Sequence, residues 1–289
     1  MTVEFSRPTS VSAVIEELGD DDVLMLAGGV SLVLLMNAGF LRPRKLVSLA
    51  GVSELHGVST DTDVLTVGAM CTHAELAADP RIGAIYPAAA AMFSGIGNVR
   101  VRSWGTLGGN LAHADPAQDP PVMLTALDAR ADVVGPGGQR ELAIDELADG
   151  PLSPTLEPDE IVTRVRIPLI GEEVTSSYVK FLPGTKDDYA TVSVGARIEF
   201  DDAGRITGAR LAAGSVGPTV VPLTRACESL IGQHPAPDVM QAFQEAVRDL
   251  VAPQSDRRGS ADYKREMAGV VAVRAVHACG GETIDRTAG

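Results

Sequence analysis

Cysteine, aromatic residues and positive charge are all scarce in this chain of 289 residues. Cys71, Cys227 and Cys279 are too few and too widely separated for a disulfide framework or a Cys-x-x-Cys metal or redox site, so we expect them to be small buried side chains in a reducing, cytoplasmic protein. The formal net charge of −14 argues against nucleic acid or an anionic membrane as the main partner, because both attract clustered lysine and arginine. No apolar run approaches about 20 residues, and the N-terminus lacks a basic region followed by an apolar stretch. We therefore expect neither a membrane span nor an export signal.

Common nucleotide and metal motifs are absent as well. The chain has no Gly-Lys dipeptide, and therefore no Walker-type loop, and it has neither Gly-x-Gly-x-x-Gly nor His-Glu-x-x-His. It does have two loops with paired glycines, Ala-Gly-Gly-Val-Ser at residues 27–31 and Gly-Thr-Leu-Gly-Gly-Asn at residues 105–110. Glycine lets backbone amides approach an anion closely, and a helix that starts directly afterwards adds partial positive charge. Two such loops indicate one phosphate-bearing cofactor held from two sides.

Apolar periodicity and turn residues predict α/β structure in the first half of the chain. Residues 1–55 are predicted to form a small unit with a helix over 11–18, strands over 23–27 and 45–49, and a helix that starts near 31. For residues 56–173 we expect first a strand over 64–69, a helix opened by a capping box at Thr72 and Glu75, and an Ala-rich helix over 85–93. A glycine-punctuated loop over 94–110 and a helix capped by Asp119 are predicted next. A hairpin around 135–138 and a strand over 160–167 complete this part.

The remaining residues, 174–289, change in pattern. Three strands are predicted over 176–182, 192–200 and 205–215, the last two joined by a hairpin-type turn at 201–204. Two amphipathic helices follow over 239–250 and 267–275. An antiparallel sheet with helices on one face accounts for this order of elements. The fold class of the whole chain is therefore α+β.

Four ordered segments resemble the FAD-binding medium subunit of molybdenum hydroxylases, the family that includes carbon monoxide dehydrogenase and the xanthine dehydrogenase type. The segments are the two glycine loops, Tyr-Val-Lys-Phe at 178–181 and Arg-Gly-Ser-Ala-Asp-Tyr-Lys-Arg at 258–265. They span nearly the whole chain, and their combination is far more specific than any one of them. The resemblance implies a two-subdomain FAD-binding fold of the PCMH or vanillyl-alcohol-oxidase type, residues 1–55 and 56–173, followed by a C-terminal domain like that of CO dehydrogenase flavoproteins, residues 174–289.

The resemblance also implies which residues hold FAD. The pyrophosphate would lie between the two glycine loops. The first loop would contribute Ala27, Gly28, Gly29, Val30 and Ser31, and the second would contribute Thr106, Leu107, Gly108, Gly109 and Asn110. Asp119 would contact the adenosine part through ribose hydroxyls. Val162 would meet the cofactor through its backbone, Lys180 would place a cation near the flavin, and Tyr189 would set its ring against the flavin. The family pattern implies no catalytic residue and no metal ligand in this chain.

Simpler interpretations exist for each of these residues. Paired glycines often serve only as turns, Asp119 could be only a helix cap, Lys180 a solvated strand charge and Tyr189 a core residue. The sequence departs from the family pattern at Val30, where relatives often have a polar residue, and beside His113, whose role stays open. We expect valine at both Gly108 and Gly109 to abolish flavin retention while leaving the chain folded.

The cysteine count bears on the mechanism. A pair of 2Fe–2S clusters takes about eight ligands, mostly cysteine, and this chain has three cysteines. The resemblance implies an oxidoreductase complex, a dimer of heterotrimers, in which a large molybdopterin subunit oxidises substrate, a small iron–sulfur subunit relays electrons, and FAD in this chain passes them to a final acceptor. The alternatives are a self-sufficient flavin oxidoreductase of the same fold and a cofactor-free interaction scaffold. Both the substrate and the acceptor, whether NAD, quinone or oxygen, stay open.

Overall fold

The computed structural model describes residues 3–19, 22–171, 173–182, 184 and 188–280. Its strands are β1 Glu4–Ser6, β2 Val23–Leu26, β3 Lys45–Ser48, β4 Val58–Thr60, β5 Val64–Gly68, β6 Arg130–Gly135, β7 Gly138–Ala143, β8 Ala148–Gly150, β9 Ser153–Pro154, β10 Ile161–Pro168, β11 Val174–Phe181, β12 Val192–Phe200, β13 Ile206–Gly214 and β14 Val221–Pro222. Its α-helices are α1 Val11–Glu17, α2 Val30–Asn37, α3 His73–Ala78, α4 Pro80–Ile85, α5 Pro87–Ser94, α6 Val99–Trp104, α7 Leu107–His113, α8 Asp119–Ala126, α9 Thr224–Cys227, α10 Pro237–Leu250 and α11 Ala261–Cys279.

The first sheet is parallel and has the order β1-β3-β2. Its core includes Val14 of α1 together with Val23 and Val47 of the strands, all of them buried. Parallel strands need crossover connections, which α1 and α2 supply. The first glycine loop leaves the carboxyl end of β2 and enters α2, and this edge is where open α/β sheets bind their ligands.

The second sheet has the order β4-β5-β10-β6-β7, and its hydrogen-bonded pairs are all antiparallel. Helix α3 starts at the capping box predicted from Thr72 and Glu75, which is confirmed. The expected open loop over residues 94–110 is wrong, because α6 lies within it and α7 begins in it. Asn98 accepts hydrogen bonds from the first-turn amides of α6, and Thr106 does so for α7, so two caps outweigh the low helix propensity of the glycines.

The third sheet has the order β11-β12-β13-β14 and is antiparallel. Helices α10 and α11 share a core with it that contains Val194, Ile198, Phe243 and Val271. Helix α8 covers part of the opposite face, where a Cβ atom at Gly195 would come within 3.0 Å of the Met123 Cα atom. The glycine thus permits backbone-to-backbone packing between the second and third parts of the chain.

Cys71, Cys227 and Cys279 are buried and unpaired, as predicted. Within the described residues, none of the helices combines the length and the apolar character that crossing a bilayer would require. The boundaries at 55/56 and 173/174 stay predictions; each falls between strands that belong to different sheets.

Candidate cofactor-binding cleft

A cleft of about 600 Å³ lies between the first sheet, the helices of the second and the start of the third. This volume is in the range of small-molecule and cofactor sites. Thirteen of the residues predicted from the sequence line it, namely Ala27, Gly28, Gly29, Val30, Ser31, Thr106, Gly108, Gly109, Asn110, Asp119, Val162, Lys180 and Tyr189. Leu107 does not line it, because its side chain is fully buried in the core of the second sheet and its helices.

The two glycine loops lie against each other. A Cβ atom at Gly28 would stand 1.6 Å from the Trp104 carbonyl oxygen, and one at Gly109 would stand 3.2 Å from the Ala27 Cβ atom. Gly28 is therefore required for the loops to meet, and Gly109 allows their close approach, in addition to any role toward a ligand. At Gly108 a Cβ atom would lie 2.6 Å from that of Ala69, so valine there is expected to destabilise the fold in addition to any effect on a ligand.

The first loop provides a helix N-terminus at the cleft. Gly29 adopts the left-handed conformation, with φ 76°, and precedes α2 without any side-chain cap. Val30 and Ser31, in the first turn of α2, line the cleft. First-turn amides have no partner within their own helix, and the helix dipole makes this end positive. The arrangement suits an anion such as a pyrophosphate.

The second glycine loop differs from the first, because its backbone amides form hydrogen bonds within the protein. The Leu107 amide donates to the Cys71 carbonyl at 3.0 Å, and the Gly108 amide donates to that of Ala69 at 2.7 Å. The Gly109 amide donates to the Thr106 hydroxyl at 3.2 Å. These amides are engaged within the protein, and the Thr106 hydroxyl keeps its own hydrogen to donate.

Three buried polar atoms at the cleft have no hydrogen-bond partner among the described residues: Asn110 Oδ1, Gln118 Oε1 and His73 Nδ1. A buried polar group without a partner costs about 1–3 kcal/mol, so these atoms are suited to a polar ligand. Burial lowers the pKa of His73 to about 4, so its imidazole is neutral at pH 7. We did not predict Gln118 or His73 from the sequence, although each adjoins a residue that we did single out, Asp119 and the capping-box Thr72.

Asp119 forms a three-residue cluster with two residues of β11. Its two carboxylate oxygens accept hydrogen bonds from the Tyr178 hydroxyl at 2.6 Å and from the Lys180 ammonium at 2.8 Å. The side chains of Asp119 and Lys180 are only 6% and 14% exposed, so Lys180 is not a solvated strand charge. Burial and the nearby Asp119 charge raise the pKa of Tyr178 well above its usual range, so the phenol stays a donor.

This cluster bears on two expectations about Asp119. The expectation that Asp119 caps α8 is wrong, since α8 begins at Asp119 and its cap position is Gln118. The family pattern also assigned Asp119 to the adenosine and Lys180 to the flavin. Because the two side chains are in contact, they lie at the same end of the cleft.

Tyr189 lies at the edge of the cleft with 48% of its surface exposed, so it is not a core residue. The Arg258 guanidinium carbon stands 5.8 Å from the centre of the Tyr189 ring. Partial burial of the Tyr189 hydroxyl is the largest cause that raises its pKa, and the negative charges of Asp115 and Asp119 raise it further. The ring is available to a molecule in the cleft.

Two other residues of interest border the cleft. Val162 is buried in β10, where it pairs with Val133 immediately before a register shift in the ladder. His113 is the last residue of α7 and lines the cleft, half-buried. Their positions are compatible with backbone contact at Val162 and side-chain contact at His113.

Comparisons with known proteins place matches along nearly the whole chain. The FAD binding domain in molybdopterin dehydrogenase matches residues 1–170, and the CO dehydrogenase flavoprotein C-terminal domain matches residues 177–279. The carbon monoxide dehydrogenase medium chain of Hydrogenophaga pseudoflava is 31% identical over 95% of this chain and 96% of its own length. Caffeine dehydrogenase subunit beta of Pseudomonas sp. (strain CBB1) is 29% identical over 94% of this chain and 93% of its own length.

A solved structure of carbon monoxide dehydrogenase from Hydrogenophaga pseudoflava is also similar. It matches with a TM-score of 0.93 at 30% sequence identity, covering 97% of this chain and 98% of that chain. The resemblance inferred from four short segments is confirmed, as is the fold. The chain belongs to the family of FAD-binding medium subunits of molybdopterin dehydrogenases, of the carbon monoxide dehydrogenase flavoprotein type.

Proposed function

We propose that this chain binds FAD in the cleft and transfers electrons from the iron–sulfur clusters of a partner subunit to a final acceptor. The observation that carries the proposal is the cleft itself, where the uncapped N-terminus of α2 and three unpaired buried polar atoms border one volume of about 600 Å³. A dinucleotide matches this combination, because it offers an anionic pyrophosphate together with many hydrogen-bonding groups.

Each part of the cleft has a distinct task in this proposal. The first turn of α2 receives the pyrophosphate, and Thr106 and Asn110 complete its hydrogen bonds from the other side. When bound, FAD supplies a centre that exchanges one or two electrons. Asp119 and Tyr178 fix the Lys180 ammonium at one position, where it stabilises negative charge that develops on the cofactor. Tyr189 forms one wall of the same end.

The partners are proposed from the family. Relatives are named as the medium chain or as one subunit of a dehydrogenase, which supports a multi-subunit complex. We propose a large molybdopterin subunit and a small subunit with 2Fe–2S clusters, assembled as a dimer of heterotrimers. Three buried, unpaired cysteines support a reducing compartment such as the cytoplasm.

Val30 offers a direct test of the pyrophosphate position. Val30→Asp places a carboxylate in the first turn of α2, which favours the helix but repels a phosphate group. Val30→Asn has the same shape without the charge and serves as the matched control. We expect the Asp variant to bind FAD about tenfold more weakly, or worse, than the Asn variant, although its thermal stability is equal or slightly higher. Equal FAD affinity in the two variants would place the pyrophosphate elsewhere.

A second experiment tests the role in electron transfer. The tagged chain is purified from its native cells, and the eluate is analysed for flavin, molybdenum and iron. We expect all three, with the visible flavin band bleaching when a reducing substrate of the complex is added. Substrate oxidation by the chain alone would favour the self-sufficient oxidoreductase, and a colourless chain that takes up no FAD would favour the scaffold.

A further inference from the structure

The segment Arg-Gly-Ser-Ala-Asp-Tyr-Lys-Arg at residues 258–265 does not line the cleft, and Arg258 reaches it only through Tyr189. It forms the turn before α11 and the first turns of that helix. Lys264 within it is only 3% exposed, and its ammonium lies 2.9 Å from the Asp256 carboxylate. Burying a lysine is costly unless a carboxylate partner is held in place, so this pair needs an ordered turn around it.

Asp256 also holds Arg258. The Asp256 carboxylate accepts hydrogen bonds from Arg258 Nη2 at 2.7 Å, from Nε at 3.0 Å and from the Arg258 backbone amide at 2.8 Å. Burial alone would raise the pKa of Asp256, but hydrogen bonds from Lys264 and Arg258 lower it well below its usual range. The carboxylate therefore stays charged, and the Arg258 side chain is anchored at two of its nitrogens.

The anchored guanidinium reaches the edge of the cleft. Its carbon lies 5.8 Å from the centre of the Tyr189 ring, within the distance of a cation–π contact. The turn is also joined to the segment after Tyr189, because the Thr191 hydroxyl donates to the Arg258 carbonyl at 3.2 Å. Two contacts thus connect the base of α11 with the chain that carries Tyr189.

We propose that Arg258, anchored by Asp256 and the buried Lys264, is a positioning residue that holds the Tyr189 ring at the flavin end of the cleft. The proposal rests on the proposed function, because it assumes that FAD occupies the cleft. It gives the 258–265 segment a role toward the cofactor: the turn before α11 sets the orientation of a cleft residue that lies much earlier in the sequence, between β11 and β12. Arg258 is not among the residues that line the cleft, so its effect on a bound molecule would pass through Tyr189.

The test compares Arg258 with its exposed neighbour Arg257 in FAD-loaded protein, purified with the subunits that accompany it. Arg258→Ala is expected to weaken FAD binding roughly two- to fivefold and to raise the fluorescence of bound flavin, since a mobile aromatic ring quenches less effectively. Arg257→Ala removes the same charge and should change neither. Arg258→Lys, which keeps a cation, should restore most of the wild-type fluorescence.

A double-mutant cycle with Tyr189→Leu separates positioning from general stabilisation. If Arg258 acts through Tyr189, Arg258→Ala has no further effect on flavin fluorescence or FAD affinity once the ring is gone. Arg258→Gln provides a second variant that keeps a donor for Asp256 but has no charge, and it should resemble Arg258→Ala.

The inference is overturned if Arg258→Ala and Arg258→Gln match Arg257→Ala in wild-type background, or if their effect persists unchanged beside Tyr189→Leu. These results are distinct from a failure of the proposed function, which would appear as an inability of the wild-type protein to hold FAD at all.

Discussion

Replacing Lys180 by methionine tests the Asp119 cluster most directly. Methionine keeps much of the length and apolar volume of lysine, so the main change is loss of the ammonium. The Asp119 carboxylate would then be left with the Tyr178 hydroxyl at 2.6 Å as its remaining side-chain partner in the cluster. An unpaired buried charge is far more costly than the intact pair is favourable.

The magnitude follows from the burial of the pair. Removing one partner of a fully buried ion pair costs about 3–5 kcal/mol. Lys180 is 14% exposed and Asp119 is 6% exposed, so we take the low end, about 3 kcal/mol. For a chain of this size, 1 kcal/mol corresponds to a shift of about 2–4 °C in the thermal midpoint. The expected decrease is therefore roughly 6–12 °C.

The assay is thermal unfolding followed by circular dichroism at pH 7, without added FAD. The double variant Asp119→Asn with Lys180→Met should recover most of the loss, because the amide is neutral and still accepts a hydrogen bond from Tyr178. Arg205→Met, which removes a partner from an exposed pair with Asp201, should leave the midpoint unchanged. A Lys180→Met midpoint equal to that of wild type, or a double variant no better than the single one, would refute the assignment of a buried, charge-dependent cluster.

Two further predictions concern residues at the cleft. The pKa of His73 falls to about 4 on folding, below its unfolded value, so the unfolded chain binds the proton first and stability decreases as the pH drops from about 6.5 toward 4. His73→Gln should remove about 2 kcal/mol of the stability difference between pH 7 and pH 5, measured as thermal midpoints; an unchanged difference would show that His73 does not contribute. Gly28→Ala should destabilise the chain by at least about 2 kcal/mol, since its Cβ atom would overlap the Trp104 carbonyl. Gly83→Ala, in a helix with open space around it, should be neutral or stabilise slightly, and equal midpoints for these two alanine variants would contradict the close loop contact.

Local patterns predicted much of the fold because they depend on neighbours in the sequence. The capping box at Thr72 and Glu75, the hairpin around 135–138 and the amphipathic helix α10 each follow from short-range hydrogen bonding or periodicity. The same reasoning failed over residues 94–110, where glycine content suggested a loop. Contacts from Gly108 to Ala69 and the two helix caps decide the conformation there.

At the candidate site, too, local features could be predicted from the sequence and long-range contacts could not. Paired glycines followed by helix-compatible residues were sufficient to predict the turn into a helix at 27–31, and anion binding there stays a prediction. The partners of the Asp119 carboxylate could not be inferred, because Tyr178 and Lys180 are far away in the sequence and approach it only when α8 packs on the sheet that contains β11. Capping was the better local explanation for an aspartate before two prolines, and a long-range ion pair displaced it.

The amino-acid sequence by itself determined the family, the α+β class and the two loops that border the cleft, since each depends on residue types in a fixed order. Tertiary structure decided how those parts act together: which amides are already engaged, which polar atoms are left without partners, and which charges meet. Packing brings residues from distant segments within hydrogen-bonding distance in a space that excludes water, and no local pattern encodes that proximity. The contact of Arg258 with Tyr189 is such a case, because it connects the base of the last helix to the edge of the cleft.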